Sequence, residues 1–275
     1  MTAPSSLVRH YAAPSLLERV RAGLVALGKV PEQATLDDLA PVEEFHIGGR
    51  AATAEFLEQL GLRGGDRLLE VGCGLGGTAR FAADRFGVLV LGLDLSPDFI
   101  EAGRELTRWT RLESRVELEV ADASRLDLAA GSFDAATLLH VGMNISDKAA
   151  LAANLAALLR PGGTLGIYDV MRVGAGEFEF PLPWASEASE SHVETPEQYR
   201  SIFETAGLVC RHERVRRQFA LDFFKTLAAR RHEDGPPPLG LHLVMGANAK
   251  DKMRRLVELL EGGVVAPVEM IFTRP

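Results

Sequence analysis

Between residues 66 and 172 short apolar runs alternate with helical segments, and this alternation restricts the fold more than any other feature of the chain. DRLLEVG reads as a short buried strand, and GTARFAADRFG as a helix closed by Gly87. VLVLGLDLS and residues 97–111 repeat the strand–helix pair. VELEVADAS and FDAATLLHV follow as strands, then a helix over 148–159 ended by Pro161-Gly162-Gly163, then the strand TLGIYDVMR. Strands separated by helices at this spacing pair through right-handed crossovers. The expectation is an α/β fold with a mostly parallel sheet and helices on both faces.

The flanks are mainly helical. Residues 14–26 place Leu16, Leu17, Val20 and Leu24 on one stripe. PVEEFHIGG (41–49) interrupts, and a helix resumes over 50–60. Residues 173–193, with PLPW and several acids, read as a loop over the carboxyl edge of the sheet. Thr195, Pro196 and Gln198 form the cap, first-turn proline and capping-box residue of a helix reaching 206. Residues 208–217 read as extended, and helical patterns at 221–231 and 249–261 flank the breaker 235–238. The closing VVAPVEMIFTRP reads as a strand whose Pro267 suits an edge or a strand start. The expected organisation is an N-terminal helical cap and lid (1–61), then an α/β domain (62–275). That domain carries a lid loop (173–193) and a helical insertion before the last strand (218–262).

Composition narrows the partners. A net charge of −8 over 275 residues argues against a nucleic-acid backbone reader. The two cysteines, Cys73 and Cys210, have no metal-ligand spacing, so neither a metal site nor a disulfide framework is expected. With no signal-like start and no run long enough to span a bilayer, the expected setting is cytoplasmic, with no membrane partner. The oligomeric state stays open.

The turn after the first strand, LLEVGCGLGGTARFA, satisfies two fingerprints. Gly72-x-Gly74-x-x-Gly77 fits a dinucleotide loop; Glu70-x-Gly72-x-Gly74-x-Gly76 fits an S-adenosylmethionine loop. Three acids at successive strand ends favour the second. Glu70 would repel a pyrophosphate but can hold the ammonium of a methionine moiety. Asp94 can accept both hydroxyls of a ribose, and Asp122-Ala123 can meet the edge of an adenine.

The ordered set LLEVGCGLGG, LGLDLS, VADAS, SFDAATLLHV and LRPGGTLGIYD resembles the class I S-adenosylmethionine-dependent methyltransferases. The resemblance implies a Rossmann-like, seven-stranded sheet with an antiparallel last strand. It also implies cofactor contacts at Glu70, Gly72, Gly74, Gly76, Asp94, Leu95, Asp122, Ala123 and His140, and from the N-terminal segment at Tyr11. FHIGGRAATAEFL and the late helical insertion resemble the small-molecule subgroup, near the phosphoethanolamine and sarcosine/dimethylglycine N-methyltransferases. The implied reaction is methyl transfer from S-adenosylmethionine to a small-molecule acceptor, nitrogen favoured over oxygen or carbon. The rival readings are an NAD(P)-dependent oxidoreductase and a non-catalytic S-adenosylmethionine-binding protein.

Acceptor chemistry belongs at the ends of the fourth and fifth strands. His140 and Asn144 are candidates for one catalytic cleft, His140 as base or acceptor-orienting group, or as a pocket-lining residue only. His46 is a further catalytic candidate. The N-methyltransferases of the subgroup carry aspartate where this chain has His140 and histidine where it has Asn144, so their catalytic group does not carry over. Tyr168, Asp169 and Arg172 are candidate substrate contacts, Asp169 for a cationic acceptor and Arg172 for an anionic one. An Asp169–Arg172 pair bracing the lid is equally consistent. Trp184 is placed to close over the acceptor.

Overall fold

The computed structural model describes residues 15–123, 125–234, 237–246 and 248–275. Tyr11 and part of the breaker 235–238 lie outside them. One sheet is built from seven strands: β1 (Arg67–Val71), β2 (Leu89–Asp94), β3 (Val116–Val120), β4 (Phe133–Leu139), β5 (Leu159–Arg172), β6 (Val209–Val215) and β7 (Val265–Thr273). Their order is β3-β2-β1-β4-β5-β7-β6, with β7 antiparallel to both neighbours. The expected Rossmann-like sheet is therefore present. Chain direction across the sheet reverses between β1 and β4, which opens a crevice at their carboxyl ends.

Ten helices are described: α1 (Leu16–Ala26), α2 (Leu36–Glu43), α3 (Gly49–Glu58), α4 (Gly77–Phe86), α5 (Pro97–Trp109), α6 (Lys148–Leu158), α7 (Pro196–Thr205), α8 (Arg217–Asp234), α9 (His242–Met245) and α10 (Ala249–Glu261). Helices α3, α4 and α5 cover one face, packing Phe56, Leu57, Ala79 and Ile100 on Leu68, Val90 and Ala135. Helices α6 and α7 cover the other with Leu151, Leu155, Tyr199 and Phe203 against Leu69, Leu138 and Ile167. Each fully buried Leu, Ile or Phe among them contributes about 1.5–3 kcal/mol of hydrophobic stabilisation. The insertion helices α8 and α10 close over the carboxyl end of β5 through Phe224, Leu256 and Leu260. Among the described residues no helix is long and apolar enough to cross a membrane.

Two local expectations change. The break expected at 41–49 is confined to 44–48, because Thr35 and Asp38 cap α2 reciprocally and the helix runs through Pro41. Pro267 lies in an interior strand, neither at an edge nor at a strand start. It is tolerated because its side of the ladder faces the end of β6: Val268 pairs with Val215, and the Pro267 carbonyl accepts from the Arg216 N–H at 2.8 Å. The missing N–H thus falls where the β6 ladder has run out.

Beneath the glycine turn Arg80 of α4 is fully buried. Its Nη1 donates to the Leu75 carbonyl at 2.8 Å, to Thr107 Oγ1 at 3.0 Å and to the Gly103 carbonyl at 3.2 Å, while Nη2 donates to Glu43. One guanidinium thereby joins the turn, α5 and α2. Removing one partner of a buried ion pair strands the other charge, at a cost of about 3–5 kcal/mol. Arg80→Met is therefore expected to lower the melting temperature by about 10 °C, and Arg80→Met/Glu43→Gln to recover part of that loss. Calorimetric melting checks this, and an unchanged midpoint would overturn it.

Candidate active site

The carboxyl ends of β1 to β5, the cap segment 43–46, the loop 173–193 and α10 enclose a cavity of about 400 Å³. Its lining falls into two halves. On the β1–β3 half stand Glu70, Gly72, Gly74, Asp94, Leu95, Asp122 and Ala123; on the β4–β5 half stand His46, His140, Asn144, Val170, Trp184 and Leu256.

The glycine turn is tied to β2, since the Gly72 and Cys73 N–H groups donate to the Leu93 carbonyl at 2.7 and 2.9 Å. Gly72 has φ +70°, and a Cβ there would stand 2.2 Å from Val141 Cγ2. Gly74 has φ +53° with nothing within 4 Å of a Cβ, so this stretch of backbone is open to a ligand. Gly76, the third predicted contact, is not on the lining; a Cβ there would meet Leu118 Cδ1 at 2.8 Å. Asp94 Oδ2 accepts from Gly74 N–H at 2.8 Å and Oδ1 from Ser96 N–H at 2.9 Å. These bonds orient the carboxylate and leave it further acceptor capacity toward the cavity. Leu95, 72% exposed, forms an apolar rim.

Glu70 is 3% exposed, and its Oε2 has no hydrogen-bond partner among the described residues. Burial, with repulsion from Glu44, pushes its carboxyl up to about 8. The carboxyl is bonded by Thr78, and its second, unpartnered oxygen at the cavity fits the ammonium of S-adenosylmethionine, while the open turn and Asp94 fit its backbone and ribose.

His140 follows β4 with φ +54°, a left-handed conformation uncommon for a residue with a side chain. Its N–H donates to the Tyr168 carbonyl at 2.7 Å, which continues the β4–β5 ladder and turns the ring into the crevice. The buried Nε2 has no partner among the described residues. Burial, then the neighbouring His46, holds the ring well below the usual imidazole range, so it is neutral at pH 7. The His46 ring lies 6.0 Å away, centroid to centroid. His46 Nε2 stands 2.9 Å from Thr53 Oγ1 and 3.4 Å from Glu44 Oε2, and Thr53 donates to that same Glu44 oxygen at 2.6 Å. Burial also lowers the His46 pKa.

Three predicted substrate contacts face elsewhere. Tyr168 is fully buried and donates to the Ile47 carbonyl at 2.9 Å. Asp169, also fully buried, accepts the Tyr199 hydroxyl at 2.6 Å. Arg172 donates to the Gly176 carbonyl at 2.8 Å and lies over the Phe178 ring, bracing the loop without pairing to Asp169. Asn144 does reach the cavity, where its Nδ2 holds the Trp184 carbonyl. Sequence reasoning missed Glu44 and Thr53 behind His46, and Val170 and Leu256 on the wall. The adjacent acids Glu43-Glu44 before FHIGG were a legible hint; nothing local marked Leu256. Among the described residues no group of three His, Cys, Asp or Glu side chains is placed to hold a metal ion.

A doubly wound sheet whose crevice offers a buried carboxyl with one free oxygen, an open glycine turn and an acid at the second strand end is an α/β protein built to hold an adenosine cofactor, and the carboxyl fits S-adenosylmethionine. Comparison with known proteins agrees. The family described as "Methyltransferase domain" matches residues 68–163. Methyltransferase GfsG of Streptomyces halstedii is 30% identical over 202 residues, 71% of this chain and 69% of that protein. Phosphoethanolamine N-methyltransferase 1 of Triticum aestivum is 38% identical over 162 residues, 58% of this chain but 32% of that enzyme. Phosphoethanolamine N-methyltransferase 2 of Haemonchus contortus, solved with S-adenosyl-L-methionine, shares the fold with a TM-score of 0.72 at 20% identity, over 96% of this chain and 60% of that one. The chain belongs to the class I S-adenosylmethionine-dependent methyltransferases.

The raised Glu70 pKa gives a signed prediction. Near pH 7 the free carboxyl is mostly protonated, and pairing with an ammonium requires it to ionise. S-adenosylhomocysteine binding is therefore expected to release a proton and to tighten between pH 6 and 8, approaching about tenfold per pH unit. Calorimetry across this range checks it, with Glu70→Gln flattening the dependence. A flat wild-type profile would overturn it.

Proposed function

We propose that the acceptor is an uncharged small molecule with an apolar body, methylated at a nitrogen or oxygen that gives up a proton to His140. The observation that carries this reading is the composition of the wall. No Lys or Arg lines the cavity among the described residues, and its carboxylates belong to α2 and to the ends of β1, β2 and β3. The β4–β5 half offers Val170, Trp184, Leu256 and neutral imidazoles instead. A phosphorylated acceptor would be desolvated there without a counter-charge. A cationic amine would find no carboxylate on this side, since Asp169 is turned away; nitrogen therefore enters as a neutral amine, on equal terms with oxygen.

When bound, S-adenosylmethionine supplies a methyl group made electrophilic by the sulfonium. The chain supplies position and proton traffic. Glu70, Asp94 and the Gly72–Gly74 backbone hold the cofactor, with Leu95, Asp122 and Ala123 at its far end. His140 Nε2, neutral and unpaired, accepts a hydrogen bond and then the proton from the acceptor's O–H or N–H. His46, tied to Thr53 and Glu44, stands beside it as a fixed part of the wall. Asn144 and Trp184 close the wall and exclude water.

Transfer of labelled methyl to a panel of phenols, alcohols, amines and phosphoethanolamine tests the reading. Label is expected on an uncharged phenol, alcohol or amine and absent from phosphoethanolamine; comparable labelling of the phosphate-bearing acceptor would overturn it. On the best acceptor, His140→Gln is expected to lower turnover by about 10²–10⁴ with cofactor affinity retained. Asp94→Ala is expected to lose cofactor affinity. Equal loss of binding in both would reduce His140 to lining the pocket.

A further inference from the structure

Two segments form the wall on the β4–β5 side: the turn 140–145 and the strap 184–194. Neither is held chiefly by residues that touch the cavity. Beneath the turn lies Asp169, fully buried at the end of β5. Its Oδ2 accepts the Tyr199 hydroxyl from α7 at 2.6 Å, and its Oδ1 accepts the Val170 N–H at 2.9 Å. The Met143 backbone also bonds to this carboxylate. Gly142 has no room for a side chain, because a Cβ there would stand 2.5 Å from both Asp169 Oδ2 and the Tyr199 hydroxyl.

Lys148, the first residue of α6, is almost fully buried and spans both segments. Its Nζ donates to the Ile145 carbonyl of the turn at 2.9 Å and to the His192 carbonyl of the strap at 2.5 Å. The ammonium stands 5.5 Å from the Tyr199 ring centroid and 3.9 Å from Glu194. The strap returns the tie, since its His192 N–H donates to the Met143 carbonyl at 2.8 Å. At its other end Trp184 bonds Ser191 Oγ through Nε1 at 3.0 Å, and Asn144 holds the Trp184 carbonyl.

A buried ammonium, carboxylate and phenol are a costly way to fill space, and apolar side chains would pack as stably. What directional bonds add is geometry. We infer that Lys148, Asp169 and Tyr199 form a latch that sets the acceptor wall, holding the turn that carries His140 against the strap that carries Trp184. They are positioning residues, and the inference rests on assigning the β4–β5 side to the acceptor.

Burial pushes the Asp169 carboxyl up to about 6, against the pull of Tyr199, the backbone and Lys148. The groups facing this network are Tyr199 from α7, Lys148 from α6 and Glu194 from the strap. As pH falls through this range the carboxylate takes a proton. The Tyr199 bond then loses its charge assistance and Lys148 loses a counter-charge.

Fluorine NMR of 5-fluorotryptophan protein saturated with S-adenosylhomocysteine tests the latch, because the chain has two tryptophans, Trp109 and Trp184. Trp184→Phe assigns the pair. The Trp184 resonance is expected to move with a midpoint near pH 6 while Trp109 stays fixed. Asp169→Asn is expected to abolish that midpoint, Tyr199→Phe to raise it, and Lys148→Met to displace the Trp184 resonance at every pH. Tyr199→Phe removes one oxygen and keeps the packing, so it remains informative if a charge variant fails to fold. A Trp184 resonance that ignores both Tyr199→Phe and Lys148→Met, or a midpoint that survives Asp169→Asn, would overturn the latch. No acceptor is present, so this outcome is independent of the acceptor reading, which fails on its own if phosphoethanolamine is methylated.

Discussion

The site depends first on a charge that never meets a ligand. Arg80 lies under the glycine turn with its two terminal nitrogens bonded to the Leu75 carbonyl, α5 and Glu43. A buried ion pair is weak evidence for stability, because desolvation consumes most of the Coulombic gain. Its contribution here is shape: the turn, α5 and α2 are joined at one side chain. Glu44 follows Glu43 directly, and is held by Arg50 and Thr53. Through it the same anchor reaches His46 and, beyond it, His140. The two halves of the crevice are thus registered by one guanidinium.

Burial acts on both halves with opposite chemical effect. It raises the carboxyl of Glu70 and lowers the imidazole of His140, so each group is neutral near pH 7 in the free protein. For Glu70 it makes ionisation part of the proposed pairing with an ammonium. For His140 it leaves a lone pair available wherever the pH lies above its depressed range. The left-handed φ of His140 belongs to the same account. A ring in ordinary extended geometry would continue the strand's alternation, whereas this turn delivers it into the crevice while its N–H completes the ladder to Tyr168.

What was legible in the sequence was whatever has a local signature. The strand–helix alternation, the glycine turn, Asp94 at a strand end and the Thr195–Gln198 capping box each depend on neighbours a few residues away, and the structure contains them. What was not legible depends on distant partners. Asp169 looks like a substrate contact until Tyr199, thirty residues on, supplies the hydroxyl that turns it inward. Pro267 looks like an edge residue until β6 is seen to end beside it. Arg80 carries no local mark of burial, because its partners lie in α2, α5 and the turn.

The same division explains why cofactor and acceptor are so unequally readable. The proposed cofactor half is a run of strand ends in chain order, so each of its residues stands beside a local motif. The family match, residues 68–163, spans those strand ends and the His140 turn, then stops before the carboxyl end of β5. The rest of the acceptor half is assembled from segments far apart in the chain: Phe45 and His46 from the cap, Val170 from β5, Trp184 from the loop, Leu256 from α10. Apart from FHIGG around His46 these segments carry no motif, and each meets the others only through the folded sheet. Among the described residues, none of them bonds to the glycine turn, Glu70 or Asp94. The cofactor motifs therefore carry no information about this wall, and the proposed acceptor is argued from the wall's own charge and shape.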